Sequence, residues 1–354
     1  MKVKGLIVSH VEPPAGPERW PLPDTPPELA PVANKPVLLH QLEALAAAGI
    51  EDLAVVSAPW TRDGVRAVLR GPARSPGVLH IAPSDPISIL EGLMVAEEHL
   101  AGSPFVVQFA GNVVGLDLTT CVAELEEGAE AVLVGQQARS SRSAARLGAA
   151  AAAHSTVAVS PAVGGLRRVD VMAFGPGVFA AVRDLAADRP HEVTMAEVVR
   201  RLRASGHVRV RALHGWAKHV RDVDDLLELN QRMLLDLEPA CDEERLVQTT
   251  VQGAATIDPT ATVQASVVRG PAVVGPRARV VDSFVGPYAS IGEGAVLEGV
   301  EIENSIVLPG AVIRHPGARL EGSVIGRNAH VTRGFDLPRA TRLRVGSDAE
   351  VVLG

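Results

Sequence analysis

A chain of 354 residues exceeds what one average core fills, so a large domain followed by a smaller one is expected. Hydrophobic residues make up 47%, enough for well-buried cores, and a formal charge of −7 gives no electrostatic footprint for nucleic acid or an anionic membrane. No apolar stretch is as long as a membrane span. Lys2 and Lys4 precede a run that turns at once to proline and acid, unlike a signal peptide, so a cytoplasmic protein without a membrane partner is expected. Cys121 and Cys241, far apart in sequence, read as small buried hydrophobes rather than a bridge or a metal pair.

Up to about residue 236, short apolar runs alternate with helical patterns, as in a mostly parallel sheet flanked by helices. Strands are expected at Val3 to Val8, Leu53 to Val56, Phe105 to Phe109 and Ala131 to Val134. Val37 to Ala48 carries a helical stripe that ends at Gly49. Ser88-Ile-Leu-Glu91 is a capping box opening a helix toward Leu100, and Thr194-Met-Ala-Glu197 repeats the pattern before a helix that stops at Gly206. Asp224 to Leu235 is a leucine-rich helix leading out of a first domain placed at 1–236.

From Ile257 onward, in a second domain placed at 237–354, the period becomes six: an aliphatic residue, a small or acidic one, two variable residues, then alanine. The copies begin at Ile257, Val274, Val285, Ile291, Val307, Ile325 and Val345 and close on Ala261, Ala278, Ala289, Ala295, Ala311, Ala329 and Ala349. Aliphatic side chains at this spacing stack into an interior column while alanine fits a narrow corner, which gives a hexapeptide β-helix. A β-sandwich would need period-two alternation and hairpin turns, which this region lacks.

Ala30 to Ile50 reads A-P-V-A-N-K-P-V-L-L-H-Q-L-E-A-L-A-A-A-G-I. With the hexapeptides behind it, the chain resembles the sugar-1-phosphate nucleotidylyltransferases, in particular long-form glucose-1-phosphate thymidylyltransferases of secondary-metabolite pathways. The resemblance implies an α/β fold, with a mostly parallel Rossmann-like nucleotidyltransferase domain followed by a left-handed hexapeptide β-helix. It also implies a chemistry: a sugar 1-phosphate attacks the α-phosphorus of a nucleoside triphosphate. That reaction is helped by magnesium on two aspartates, an arginine, lysines and backbone N–H groups.

Position by position, the residues that this chemistry needs are replaced. The family's glycine-rich phosphate loop corresponds to residues 9–22, where Pro13, Pro14 and Pro17 have no N–H to give and Glu12 and Glu18 add negative charge. The lysine of the family's K-Q-L-x-P-V-A-N-K-P is Pro27, the base-reading glutamine is Pro83, and the following G-L-A begins at Ser88. The aspartate of G-D-N is Gly111, the glutamate and lysine of E-K-P are Val159 and Ser160, and the aspartate of W-K-D-T-G is His219. Retained from the pattern are Arg19, Lys35, Asn112, Gly148, Glu192 and Lys218, the remnant of a cleft. Folding alone accounts for most of these: Lys35 and Pro36 shape the turn into a helix, Asn112 satisfies backbone groups at a strand end, and Glu192 braces a helix.

The expectation is a homologue that has lost sugar-nucleotide synthesis and persists as a regulatory partner or with a repurposed pocket. The rival is a working thymidylyltransferase with an atypical site. No cofactor is expected, magnesium entering only under the rival reading. His10 and His219, with Glu12, His191 and Asp222, are the candidates for a new metal site, but no H-x-x-x-H or C-x-x-C spacing links them. A third reading, acyl transfer on the β-helix, would use His315 or His330 as base. Expected partners are a second copy of the chain or an active paralogue; the small-molecule ligand is not read from the sequence.

Overall fold

The structure is a computed structural model describing residues 2–9, 20, 22, 25–71, 77–85, 88–100, 102–137, 166–188, 193–206, 208–212, 215–242, 244 and 246–333. His10, Arg19, Gly148, Val159, Ser160 and Glu192 lie outside the described residues, as do Glu12, Pro13, Pro14, Pro17, Glu18, His191 and the repeat from Val345 to Ala349.

The first region contains β1 (Lys4–Val8), β2 (Pro31–Val32), β3 (Lys35–Pro36), α1 (Val37–Ala47), β4 (Leu53–Val56), α2 (Arg62–Arg70), β5 (Leu79–Ile81), α3 (Ile89–Val95), α4 (Glu97–Leu100) and β6 (Phe105–Phe109). It continues with β7 (Asn112–Leu116), α5 (Thr119–Glu126), β8 (Ala131–Gln137), β9 (Leu166–Phe174), α6 (Val178–Asp188), α7 (Met195–Ser205), β10 (Val208–Ala212), β11 (Gly215–His219) and α8 (Val223–Leu235). Seven strands form one sheet in the order β10-β8-β9-β6-β1-β4-β5, parallel except for β9, which runs against both neighbours. Its strands are apolar on both faces because both are covered: Leu38, Leu42, Val65 and Cys121 pack on one, Leu93, Phe179 and Val198 on the other. Such burial of aliphatic surface, worth about 25 cal/mol per Å², is what drives this layering.

Local signals in the chain set the helix ends. Gly49 closes α1 at φ 81°, a left-handed conformation that costs glycine nothing. Ser88 and Glu91 form a complete capping box, as do Thr194 and Glu197. The helix expected from Ser88 to Leu100 is split, with α3 ending at Val95 and α4 starting at Glu97, around Ala96.

The C-terminal region is a parallel β-helix of three five-stranded sheets. Five of the repeat copies start in one of these, on Ala255–Ile257, Ala272–Val274, Ser290–Ile291, Ile306–Val307 and Val324–Ile325, so that three hexapeptides make one coil. The copy beginning at Val285 starts on a neighbouring sheet. Val274, Ile291, Val307, Val268, Val285 and Ile302 fill the interior, with Ala278, Ala295 and Ala311 at its corners.

The β-helix docks on the first region through a shared core. Trp20, Leu22, Val32, Val37, Leu226 and Leu229 pack with Ile306 and Leu308. At its centre Asn230, 0% exposed, uses both amide atoms. Its Oδ1 accepts from the Ala33 N–H (2.9 Å) and the Ser290 hydroxyl (2.7 Å), and its Nδ2 donates to Tyr288 O (3.0 Å). Asn34 donates to Ile291 O (2.7 Å). Ala33 and Asn34 sit at φ 48° and 63°, a strained turn for non-glycine residues that these cross-region hydrogen bonds hold in place.

Candidate active-site cleft

The β7–β11 ribbon starts where β6 ends, beside the carboxyl end of β1, the side of an open parallel sheet on which ligands are placed. The Ala110 N–H donates to Val8 O (2.8 Å), which brings Gly111 to the end of β1. The ribbon is antiparallel with Asn112 opposite His219, and the Val220 N–H donates to Gly111 O (2.9 Å). Gly111 and His219, 108 residues apart in sequence, thus meet at one mouth. Gly111 is at φ 84°, and a Cβ there would lie 3.7 Å from Val220 O and 3.9 Å from the Pro27 Cβ. Pro27 therefore joins them, on the short 3-10 turn Pro27–Leu29 that leads into the strained turn at Ala33.

His219 is not loose in this mouth. Its Nδ1 lies 2.7 Å from Asn112 Oδ1, and Asn112 Nδ2 donates to Phe109 O (3.3 Å). The same carbonyl accepts from Nε2 of fully buried Gln41 (2.9 Å).

Lys218 points elsewhere. Side chains alternate along a strand, so it projects from the opposite face of β11, onto α8. There it pairs with Asp225 (2.7 Å) and with Glu228. Burial works against its charge, but the hydrogen bonds from these two carboxylates outweigh it and raise its pKa. Burial likewise opposes the charge on Asp225, and Lys218 and Arg221 overcome that, holding the carboxyl below its usual range. Lys35, on β3, pairs with Glu43 at 2.8 Å on the surface. The structure thus brings Pro27, Gly111, Asn112 and His219 together and turns Lys35 and Lys218 toward carboxylates.

On the base side, Pro83 gives its carbonyl to Arg62 Nη2, and Ser88 caps α3, accepting from the Glu91 N–H (3.2 Å) while its own N–H donates to the Glu91 carboxylate (2.6 Å). His80 lies 2.8 Å from the Ser57 hydroxyl, its pKa lowered by burial and by Arg66, Arg62 and Arg70.

Glu28 was not singled out in the sequence. It is 3% exposed, beneath the end of β1, hydrogen-bonded to Ser9 and Thr61, with Oε1 unpartnered. Burial pushes its carboxyl up, against the hydrogen bonds that favour the charged form. The available signal was its place in the K-Q-L motif, where it stands for the glutamine. Among the described residues, no three His, Cys, Asp or Glu side chains gather in a way that could hold a metal ion. His315 and His330 lie on the β-helix, His315 at a corner with its ring over Gly299 and His330 in an outer strand.

The chain is 33% identical over 327 residues to a glucose-1-phosphate thymidylyltransferase of Streptomyces griseus, covering 90% of this chain and 91% of that protein. It belongs to the sugar nucleotidyltransferase family. A glucose-1-phosphate thymidylyltransferase of Streptomyces antibioticus is 30% identical, covering 92% of each chain. The low-salt glycan biosynthesis nucleotidyltransferase Agl11 of Haloferax volcanii is 27% identical over 93% of this chain and 94% of its own. No protein-family profile matches. Among solved structures, a Bacillus anthracis protein, provisionally named glucose-1-phosphate thymidylyltransferase and bound to sucrose, superimposes with a TM-score of 0.54. It covers 68% of this chain and 98% of its own at 15% identity, a likeness of fold. No helix among the described residues is long and apolar enough to cross a membrane.

Proposed function

We propose that this family member has lost metal-dependent nucleotidyl transfer and acts as a non-catalytic homologue, a regulatory partner of an active paralogue or of its own kind in a secondary-metabolite sugar pathway. The observation that carries the reading is the mouth of the β7–β11 ribbon. The two positions that the family resemblance assigns to magnesium aspartates meet there as Gly111, which has no side chain, and His219, an imidazole engaged by Asn112. Magnesium demands oxygen ligands in near-ideal geometry, and these residues do not fit it. Lys218 and Lys35, which would offset phosphate charge, are already offset by Asp225, Glu228 and Glu43. Transition-state stabilisation in phosphoryl transfer is mostly electrostatic, so several such losses around one cleft compound.

The rival reading, an active enzyme making dTDP-glucose, has one observation in its favour: 33% identity to a glucose-1-phosphate thymidylyltransferase over 90% of the chain. One experiment separates the two. Purified protein is mixed with glucose 1-phosphate, dTTP and magnesium, and pyrophosphate is followed. No release is expected; metal-dependent release at about 1 per second or faster, an ordinary enzyme rate, overturns the proposal.

A further inference from the structure

An edge strand carries backbone hydrogen-bonding groups that its own sheet does not use, and what stands beside them decides what can be added. β5 closes one side of the seven-stranded sheet, and among the described residues no strand lies beyond it. It pairs in parallel with β4, Leu79 opposite Ala54, His80 opposite Val55 and Ile81 opposite Val56. The Ser57 N–H donates to Ile81 O (3.0 Å), so the backbone groups of Ile81 and Leu79 turn inward to β4. Those of His80 turn outward.

The two faces of this edge differ. On one, Ile81 packs on the core that includes Leu93 of α3, while Leu79 stays 42% exposed. The other is the face of Val55 and α2, where Arg62, Arg66 and Arg70 succeed one another at i, i+4 and i+8. Burial and then Arg66, Arg62 and Arg70 lower the pKa of His80, so the strand is uncharged at neutral pH beside a row of cations. Elsewhere on the chain cations meet carboxylates, as Lys4 does Asp52, Lys35 Glu43 and Arg209 Glu124. Here they are poorly matched. Arg62 gives Nη2 to Pro83 O and keeps a buried Nε without a partner, Arg66 reaches only exposed Asp63 at 3.6 Å, and Arg70 meets no carboxylate among the described residues. On a chain of formal charge −7 this row is a local reversal of sign. Its spacing also fits a strand: four helical residues rise about 6 Å and two strand residues about 6.8 Å, so an extended chain beside β5 brings every second side chain to an arginine.

We propose that the free edge of β5 docks an extended acidic segment of a partner protein, added as a further strand with alternate carboxylates on Arg62, Arg66 and Arg70 and the intervening apolar side chains toward Leu79. Edges are commonly guarded by charge on the strand, by proline or by a bulge, and Leu79-His80-Ile81 has none of these. The docking site does not depend on the fate of the cleft, because β5 and α2 form it whether or not nucleotidyl transfer survives.

The full chain, labelled with 15N at histidine, is titrated with three short peptides: glutamate alternating with valine, lysine alternating with valine, and glutamate alternating with proline. Only the first should bind at micromolar concentration, since lysine reverses the charge, and proline keeps the charge but brings no N–H to the ladder. Its affinity should fall roughly tenfold or more between low salt and about 0.5 M. The His80 amide signal, identified by its loss in His80→Gln, should shift and exchange more slowly with solvent in the complex. Arg66→Ser combined with Arg70→Ser, both exposed, should weaken binding roughly tenfold or more with the melting temperature unchanged. No binding of the glutamate–valine peptide, equal binding of the proline peptide, an unmoved His80 amide, or full affinity in the double variant each overturns the proposal. Pyrophosphate release on adding magnesium, dTTP and glucose 1-phosphate to the same sample would sink the loss of transfer chemistry while leaving this docking site standing, so the two failures are told apart.

Discussion

The β-helix and the cleft differ in how their residues are constrained. In the β-helix each inward position is repeated coil after coil, Val274 above Ile291 above Val307, and all of them bury one kind of surface in one kind of place. A change at one coil leaves the others specifying the same fold. In the cleft each position occurs once. Gly111, Pro27 and His219 meet through three separate elements, and the fold survives whichever residue stands at the mouth, because the ribbon is held by backbone hydrogen bonds and α8 by its own packing. A scaffold can therefore stay legible while its chemistry changes, which is why fold likeness does not certify a site.

Asn230 is where the two regions are tied, and it offers the largest effect. Asn230→Ala leaves the Ala33 N–H, the Ser290 hydroxyl and the Tyr288 carbonyl without their buried partner. A loss of about 3–5 kcal/mol is expected in urea unfolding, together with separation of the two regions into distinct transitions. Full cooperativity in that variant would mean that the shared apolar core, not the amide, couples them.

Next in size is Asp225→Asn. The buried carboxylate holds Lys218 and Arg221 and accepts from the Arg221 N–H (3.1 Å), so the substitution removes the buried charge they share and leaves half-buried Lys218 with exposed Glu228 alone. About 3 kcal/mol should be lost at neutral pH. Because the Asp225 pKa is lowered in the folded protein, this stability is present above the ordinary carboxylate range and fades as pH falls through the lower folded value. The variant and the parent should therefore converge in acid; a gap unchanged at low pH would assign the effect to packing rather than charge.

How much of this was legible follows the same division. The six-residue period announced the β-helix because repetition checks itself, and the stretch from Val37 to Gly49 and both capping boxes were readable because their signals are local. Strands β5, β7, β10 and β11 were not singled out: three to five residues long, they are fixed by their neighbours in the sheet rather than by their own pattern. The contact between Asn112 and His219 spans 107 residues and leaves no mark in either segment. Resemblance to the family pointed to both residues, but not to Asn112 as the partner that engages the imidazole. Glu28 was passed over because one acid between Pro27 and Leu29 has no periodicity, and only the fold reveals it as buried.

A repair experiment sharpens the comparison from the cleft side. Gly111→Asp with His219→Asp should restore divalent-cation binding, measured by calorimetry with magnesium or manganese, because the ribbon register brings both carboxylates to one mouth. The new Cβ at residue 111 meets only ordinary contacts, and aspartate tolerates the left-handed backbone at a cost of about 1 kcal/mol. Transfer activity should stay absent, since Pro27, Pro83, Val159 and Ser160 still lack the family's polar groups. Turnover from these two changes alone would show that the cleft had lost its metal and little else.

The smallest effect isolates a single proton. Glu28 has its pKa raised by burial, so the folded protein holds the proton more tightly than the unfolded chain does. Its contribution to stability is complete below the ordinary carboxylate range and is lost as pH rises through the folded value. Glu28→Gln keeps a carbonyl to accept from Ser9 and Thr61 but has nothing to ionise. The variant should match the parent near pH 4 and exceed it at pH 8 by about 1 kcal/mol, the lower end for relieving one unpaired buried oxygen, or roughly 2 °C in the melting temperature. A gain that is equal at both pH values would mean that the amide simply makes better hydrogen bonds. A loss at pH 8 would mean that the carboxylate is wanted there, which would turn Glu28 from a buried liability into a working part of the cleft.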